Sequence, residues 1–272
     1  MKWCLVVPLT AVFILPLRAE PAWKSELTSP ALGNHPLPVS SVIDMRLSWK
    51  GMIESGILRI EFAPPDTTKT GTYIVRASAS SVGAAAALFS YQGNFWAELE
   101  PTTLKPRLLN TVEVDQKESV NTTVRYFPDR IESHEESKLL KTGVTKPTDK
   151  TFNFAPVFDI FSAMLHVRSQ KLDDGDLIVI VVCPFSTPYI LKVKVQAHEI
   201  HDGSKAIRLS LGMQKINRDT LELRAYKKLK KDATLWLSDD GDRIPMELRA
   251  AAFIGDVRAT LVNPKNPAPP QK

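Results

Sequence analysis

Ile43-Asp44-Met45-Arg46-Leu47-Ser48-Trp49-Lys50-Gly51, joined by Met52-Ile53-Glu54-Ser55-Gly56 to Ile57-Leu58-Arg59-Ile60-Glu61-Phe62, decides how this chain folds. Ile43, Met45, Leu47 and Trp49 alternate with Asp44, Arg46, Ser48 and Lys50, and Leu58, Ile60 and Phe62 alternate with Arg59 and Glu61. Side chains of an extended strand point to opposite faces in turn, so the pattern describes two strands with one dry face and one wet face. The glycines at 51 and 56 bound the connection between them.

The same alternation spreads in both directions from this hairpin. Pro64-Pro65-Asp66 ends it, and Tyr73, Val75, Ala77 and Ala79 begin the next strand. Strand character continues through Tyr91 to Leu99, a turn at Pro101 to Pro106, and the stretches Val112-Val114 and Thr122 to Tyr126. In the second half, Leu177 to Cys183 is an apolar run, followed by Tyr189, Leu191, Val193 and Val195 in alternation with Lys192, Lys194 and Gln196. His201-Asp202-Gly203 turns the chain into Ile207, Leu209 and Leu211; Leu235-Trp236-Leu237 and Ile244, Met246 and Leu248 flank Asp239-Asp240-Gly241-Asp242. The fold class expected is mainly β: an antiparallel meander forming a curved sheet, sandwich or partly closed barrel with one or two short helices. Val157, Phe161, Met164, Leu165 and Arg168 carry the main helical spacing, with an apolar stripe able to cover a sheet, and Val82 to Phe89 could give one or two turns more.

The ends read differently. Residues 1–19 have the layout of a secretory signal peptide, with Lys2, a short apolar run from Cys4 to Leu17 and a small residue, Ala19, where cleavage is expected. That run falls short of the ~20 residues of a membrane span, and no later segment approaches that length. Residues 20–41 are rich in proline and small polar residues and read as a flexible leader; 263–272 read as a flexible tail. A single β-rich domain is expected over 42–262, with 133–150 as a charged loop or linker between its halves. The expected location is the periplasm or cell envelope.

Of the two cysteines, Cys4 would leave with the signal, and Cys183 then has no partner for a disulfide. It reads as a small buried residue in an apolar strand. The formal net charge of +5 contains two signal-peptide cations, and what remains is spread over both signs, so nucleic acid is not an expected partner. Lys227-Lys228-Leu229-Lys230-Lys231 is the densest basic cluster, a solvated loop or a contact for an anionic envelope surface.

Leu47-Ser48-Trp49-Lys50-Gly51-Met52-Ile53-Glu54-Ser55-Gly56 resembles the opening of the bacterial domain of unknown function family 3108. Further matching stretches are Leu104-Lys105-Pro106, Phe158 to Leu165, Leu172-Asp173-Asp174-Gly175-Asp176 and, most specific, Leu235-Trp236-Leu237-Ser238-Asp239-Asp240-Gly241-Asp242-Arg243-Ile244-Pro245. The resemblance implies an exported, mostly β envelope protein and brings no catalytic residues with it.

His198-Glu199-Ile200-His201-Asp202 offers metal-ligand chemistry, but histidines three apart on a strand point to opposite faces, and no third ligand suggests itself. The two Asp-Asp-Gly-Asp stretches lack the continuation of a calcium loop and suit tight turns. No metal and no cofactor is expected, and no catalytic residues are assigned, since neither a nucleophile motif nor a phosphate-binding glycine loop is present. The candidate ligand-binding residues are Trp49, Trp96 and Trp236, aromatic rings able to line an apolar groove on the concave face of the sheet, with Trp96 facing the ligand and the helix acting as a lid. The partners expected are a lipid or other apolar ligand, or an envelope protein. A hydrolase with dispersed residues and a purely structural scaffold are the alternatives.

Overall fold

The computed structural model describes residues 20–37, 41–63, 71–227, 229–252 and 255–262; the expected signal peptide and the expected tail lie outside them. The opening hairpin is formed by β1 (Ser41–Trp49) and β2 (Ile53–Ala63). A meander follows: β3 (Tyr73–Ser81), β4 (Tyr91–Leu99), β5 (Pro106–Asp115), β6 (Glu118–Tyr126), β7 (Ile131–Leu139) and β8 (Thr145–Phe152). After a helix come β9 (Leu177–Val182), β10 (Tyr189–His201), β11 (Ser204–Ile216), the short β12 (Leu223–Ala225), β13 (Ala233–Ser238), β14 (Pro245–Ala252) and β15 (Gly255–Leu261). Among the described residues these make one sheet, in the order β8-β7-β6-β5-β4-β3-β2-β1-β15-β14-β13-β11-β10-β9, with β12 beside β11. Each strand pair is antiparallel, and the two halves of the chain meet where β1 pairs with β15, Met45 opposite Leu261 and Trp49 opposite Val257.

The sheet curls without closing. Its last edge, β9, is covered by the segment that follows its first edge, β8: Phe158 N–H donates to Val181 O at 2.9 Å and Cys183 N–H to Phe158 O at 2.8 Å. Side chains complete the seam. Tyr126 Oη donates to Cys183 O at 2.9 Å, Lys150 Nζ to Ser186 Oγ at 3.1 Å, and Ser186 Oγ to Glu135 Oε2 at 3.0 Å. An unpaired strand edge templates unwanted pairing, and β8 carries Lys146, Pro147 and Lys150 along its free edge, where a proline and charges discourage it. The charged stretch 133–150 is thus a β-hairpin, β7–β8, and not a linker. Its inward-facing positions other than Ile131 and Phe152 look toward this polar seam, so it lacks the apolar alternation that marks the other strands.

The expected amphipathic helix is α2 (Ile160–Ser169), and it lies within the curl of the sheet. Asp159 caps it, Oδ1 accepting from Phe161 N–H at 2.6 Å and Ser162 N–H at 3.1 Å. Phe161 and Leu165 pack into one apolar cluster with Ile43, Val75, Leu99 and Leu109, while Ala163 and Val167 pack into another with Ile180, Val195 and Leu209. Beyond its exposed first residue, Ile160, the helix is enclosed on its successive faces and works as a plug; it is no lid over an open groove. Its two buried serines bond back to the helix and its cap, Ser162 Oγ donating to Asp159 O and Ser169 Oγ to His166 O. The second, shorter helix α1 (Gly83–Leu88) sits between β3 and β4 as the alanine run suggested.

Residues 20–37, expected to be a flexible leader, dock on the same interior. Trp23 is buried against Phe154 and donates from Nε1 to Leu221 O at 2.9 Å, and Thr28 N–H donates to Val179 O at 2.8 Å. Leu27, Leu32 and Leu37 pack on the core beside it. Four large apolar side chains distributed among prolines gain enough burial to offset the ordering of a loop that forms almost no strand of its own.

Candidate functional site

Residues on β2, β3, β4 and β5, Arg59 and Glu61 of β2 among them, build a hollow of about 390 Å³ on the outer wall. Alternation places them there: Ala77 and Ala97 are core, so Arg76, Ser78, Asn94 and Trp96 point outward. Trp96 is 41% exposed, and cross-strand register sets Arg76 opposite it, with the guanidinium 4.9 Å from the ring centroid. Among the described residues no carboxylate pairs with Arg76. Arg59, by contrast, is held by Glu61 at 2.7 Å and Asp44 at 3.1 Å, which push its pKa further up. Asn110 closes the far side, its Oδ1 taken by Thr123 Oγ1 at 2.9 Å, which leaves the amide N–H groups to face the hollow. Glu61 lies opposite Arg76 in the β2–β3 register but is bonded to Arg59, and an aromatic ring, a cation in no direct ion pair and two amides can hold a molecule with a flat apolar part and an anionic or hydroxyl group.

The other two candidate tryptophans lie elsewhere, so the three share no groove. Trp236 is buried on the outer wall of β13, stacked on the His201 ring at 4.3 Å and 10°, with the Arg249 guanidinium 4.9 Å from its centroid. Its Nε1 donates to Glu199 Oε1 at 2.9 Å, leaving no free polar edge. Trp49 sits half exposed at the end of β1, where its Nε1 is 2.3 Å from the position a Cβ at Gly255 would occupy, so only glycine fits there. Trp96 is the ring of the three that lines the hollow, and it does so on the convex side; the concave side is filled by α2 and residues 20–37.

Around Trp236 the structure gathers a ligand set that spacing in the sequence does not reveal. His201, Asp202 and Glu247 have ligand atoms within 4.8 Å of one another, with His201 Nε2 2.8 Å from Glu247 Oε2. The third group comes from β14, 46 residues further along the chain. Arg249, however, already spans both Glu247 oxygens, at 2.7 Å and 2.8 Å. Burial pushes the Glu247 carboxyl up, yet the hydrogen bonds from Arg249 and His201 prevail and hold it below the usual carboxylate range. A dication would have to settle against a guanidinium, so the cluster reads as a closed ionic stack. His198 points to the other face and pairs with Asp174 at 2.7 Å.

Cys183 is buried just after β9, its thiol pushed up to about 12 by burial and donating to Phe185 O, so it is no thiolate nucleophile. Among the described residues no hydroxyl or thiol hydrogen-bonds to a histidine ring. Both Asp-Asp-Gly-Asp stretches are turns: Asp173 N–H donates to Asp176 Oδ2, and Asp240 Oδ1 accepts from Asp242 N–H, Arg243 N–H and Ser238 Oγ. Neither the partner of Trp96 nor that of His201 has a local sequence signal, since both are set by strand register.

A single curled antiparallel sheet plugged by a capped helix, with an aromatic hollow on its wall, defines a barrel-like β protein. The pattern of the family described as "Protein of unknown function (DUF3108)" matches residues 44–262, and the chain belongs to that family. No curated protein matches it. Among solved structures it is similar to a β-barrel-like protein of the domain of unknown function DUF1849 from Brucella abortus, at 10% identity over 84% of this chain and 98% of that one, with a TM-score of 0.48.

Proposed function

We propose that this protein is an exported envelope protein that binds, without catalysis, a small amphiphilic ligand in the Trp96 hollow. The observation that carries the reading is the Arg76–Trp96 pair: a guanidinium that makes no direct ion pair among the described residues, lying on an exposed ring at the edge of a hollow of about 390 Å³. Ligand sites fall in the range of about 300–1,000 Å³ and combine apolar lining with a few placed polar groups. A ligand with an acyl or ring body and a carboxylate, sulfate or phosphate head would meet both.

The test is a titration of intrinsic fluorescence with decanoate below its micelle concentration, in parallel with decanol. Decanoate should change the emission and decanol should do so far less, because only the acid engages Arg76. Trp96→Phe should abolish the response while leaving the thermal midpoint within a few degrees, since the ring is 41% exposed. An unchanged response in Trp96→Phe, or equal responses to acid and alcohol, would sink the reading. Secretion is tested separately: export should yield mature protein that begins near Glu20 and lacks Cys4, and amino-terminal sequencing that returned Met1 would rule it out.

A further inference from the structure

In an antiparallel meander successive turns lie at alternate ends, so the turns after β1, β3, β5 and β7 gather at one end of the curled sheet. Hydrogen bonds tie their tips together. Val82 N–H donates to Ser55 O at 3.2 Å, Gln116 Nε2 to Leu88 O at 3.1 Å, and Leu140 N–H to Lys117 O at 2.9 Å. Large apolar side chains stand out of these tips: Met52 is 78% exposed, Phe89 75%, Leu88 68% and Val144 59%. Lysines 50, 117 and 141 sit among them, exposed, and Lys230 and Lys231 approach from the loop before β13, which is fixed here by Lys230 N–H donating to Ala251 O at 2.8 Å. The opposite end, with the turns after β6, β10 and β13, presents Asp129, Asp202, Asp239 and Asp242, and Asp173 and Asp174 precede β9 there. Glu54, Asp115, Asp232 and Asp256 are also exposed at the first end, and Lys105, Lys171, Lys205 and the 67% exposed Ile200 at the second, so the ends differ in balance: lysines cluster with most of the apolar tips at the first, and carboxylates outnumber cations at the second.

We propose that the first end docks on an anionic lipid leaflet, with Met52, Leu88, Phe89 and Val144 entering the headgroup–acyl boundary. Single exposed apolar residues are ordinary, but four on neighbouring tips among lysines have the composition of an interfacial anchor. A second copy meeting the same end would bring lysines against lysines. Separate protruding tips suit a fluid planar partner better than a shaped one. Each lysine near an anionic surface raises binding by about fivefold, so the attraction should fall with salt. This inference is independent of the Trp96 hollow.

Full-length protein sedimented with phosphatidylglycerol–phosphatidylethanolamine vesicles should bind them, bind phosphatidylcholine vesicles weakly, and be released by 0.5 M salt. Met52→Ser/Phe89→Ser and Lys117→Glu/Lys141→Glu should each lower the bound fraction about tenfold with little change in thermal midpoint, while Trp96→Phe and Arg76→Ala should bind as wild type. A second readout fixes orientation: lipids brominated near the headgroup should quench Trp49, which lies beside these tips, and Trp49→Phe should lose most of that quenching. No binding to anionic vesicles, equal binding by the variants, or a dimer lost in the variants with no vesicle binding would overturn the proposal.

Discussion

His166 sits on α2 beside the Phe158 ring at 4.8 Å, and neither ring nitrogen has a hydrogen-bond partner among the described residues. Burial lowers its pKa from 6.5 to about 4. Above pH 6.5 both folded and unfolded states hold it neutral; below that, the unfolded chain takes up a proton that the folded protein refuses until about pH 4. Stability should therefore fall as pH drops through this window, by up to about 3 kcal/mol. Asp159 works in the opposite sense, because burial raises its carboxyl above the ordinary value and the hydrogen bonds from Ser162 and Phe161 only partly offset that. The difference between wild type and His166→Leu in urea midpoints at pH 7 and pH 5 isolates the histidine: the variant should be flatter with pH, and parallel curves would refute the assignment. Nothing in the sequence marks His166 as buried, since position 166 lies off the apolar stripe that predicted the helix; only a helix enclosed on every side buries it.

At the scale of elements, the most specific family stretch, Leu235 to Pro245, proves to be a clamp on the end of α2. Arg243 NH1 donates to Arg168 O at 2.8 Å and also to Gln170 O, while Arg168 NH2 donates to Asp242 O at 2.7 Å. Asp240 shapes the loop: burial pushes its carboxyl up, but the bonds from Ser238, Arg243 and Asp242 prevail and keep it below the usual range. A cation placed on the last carbonyls of a helix also opposes its dipole. Arg243→Ala should cost about 2–3 kcal/mol, because it strands partly buried carbonyls, and Arg243→Lys should recover only part of this. Unfolding in urea checks both, and an unchanged Arg243→Ala midpoint would dismiss the clamp. The turn itself was legible from Asp and Gly between two apolar strands, as were β1, β2, β3 and α2 from their periodicity. Its hold on a helix about 75 residues away was not, and neither was the β7–β8 hairpin, whose inner face reaches the core only at Ile131 and Phe152 and otherwise looks onto a polar seam.

For the whole molecule, the decisive feature is that the interior is sealed by pieces that belong to no strand. Trp23→Ala removes a buried ring that bridges Phe154 and Leu221 and should cost about 3–5 kcal/mol. A chain lacking 20–37 should in addition bind more of an apolar dye than the intact protein does; equal dye binding by both would show that the segment seals nothing. The candidate site was legible only in outline: Trp96 was identifiable as an aromatic on the polar side of its strand, whereas the curl that fills the concave face and leaves the hollow outside depends on how many strands one sheet takes up. One feature of that sheet also governs when folding can finish. Because β1 pairs with β15, the two halves can be joined only after the last strand has left the ribosome. At about 5–20 residues per second the roughly 200 residues between them take on the order of 10–40 s to synthesise. For that interval the nascent chain holds its first strand without its β15 neighbour, a state that a chaperone can hold and a narrow translocation pore can thread.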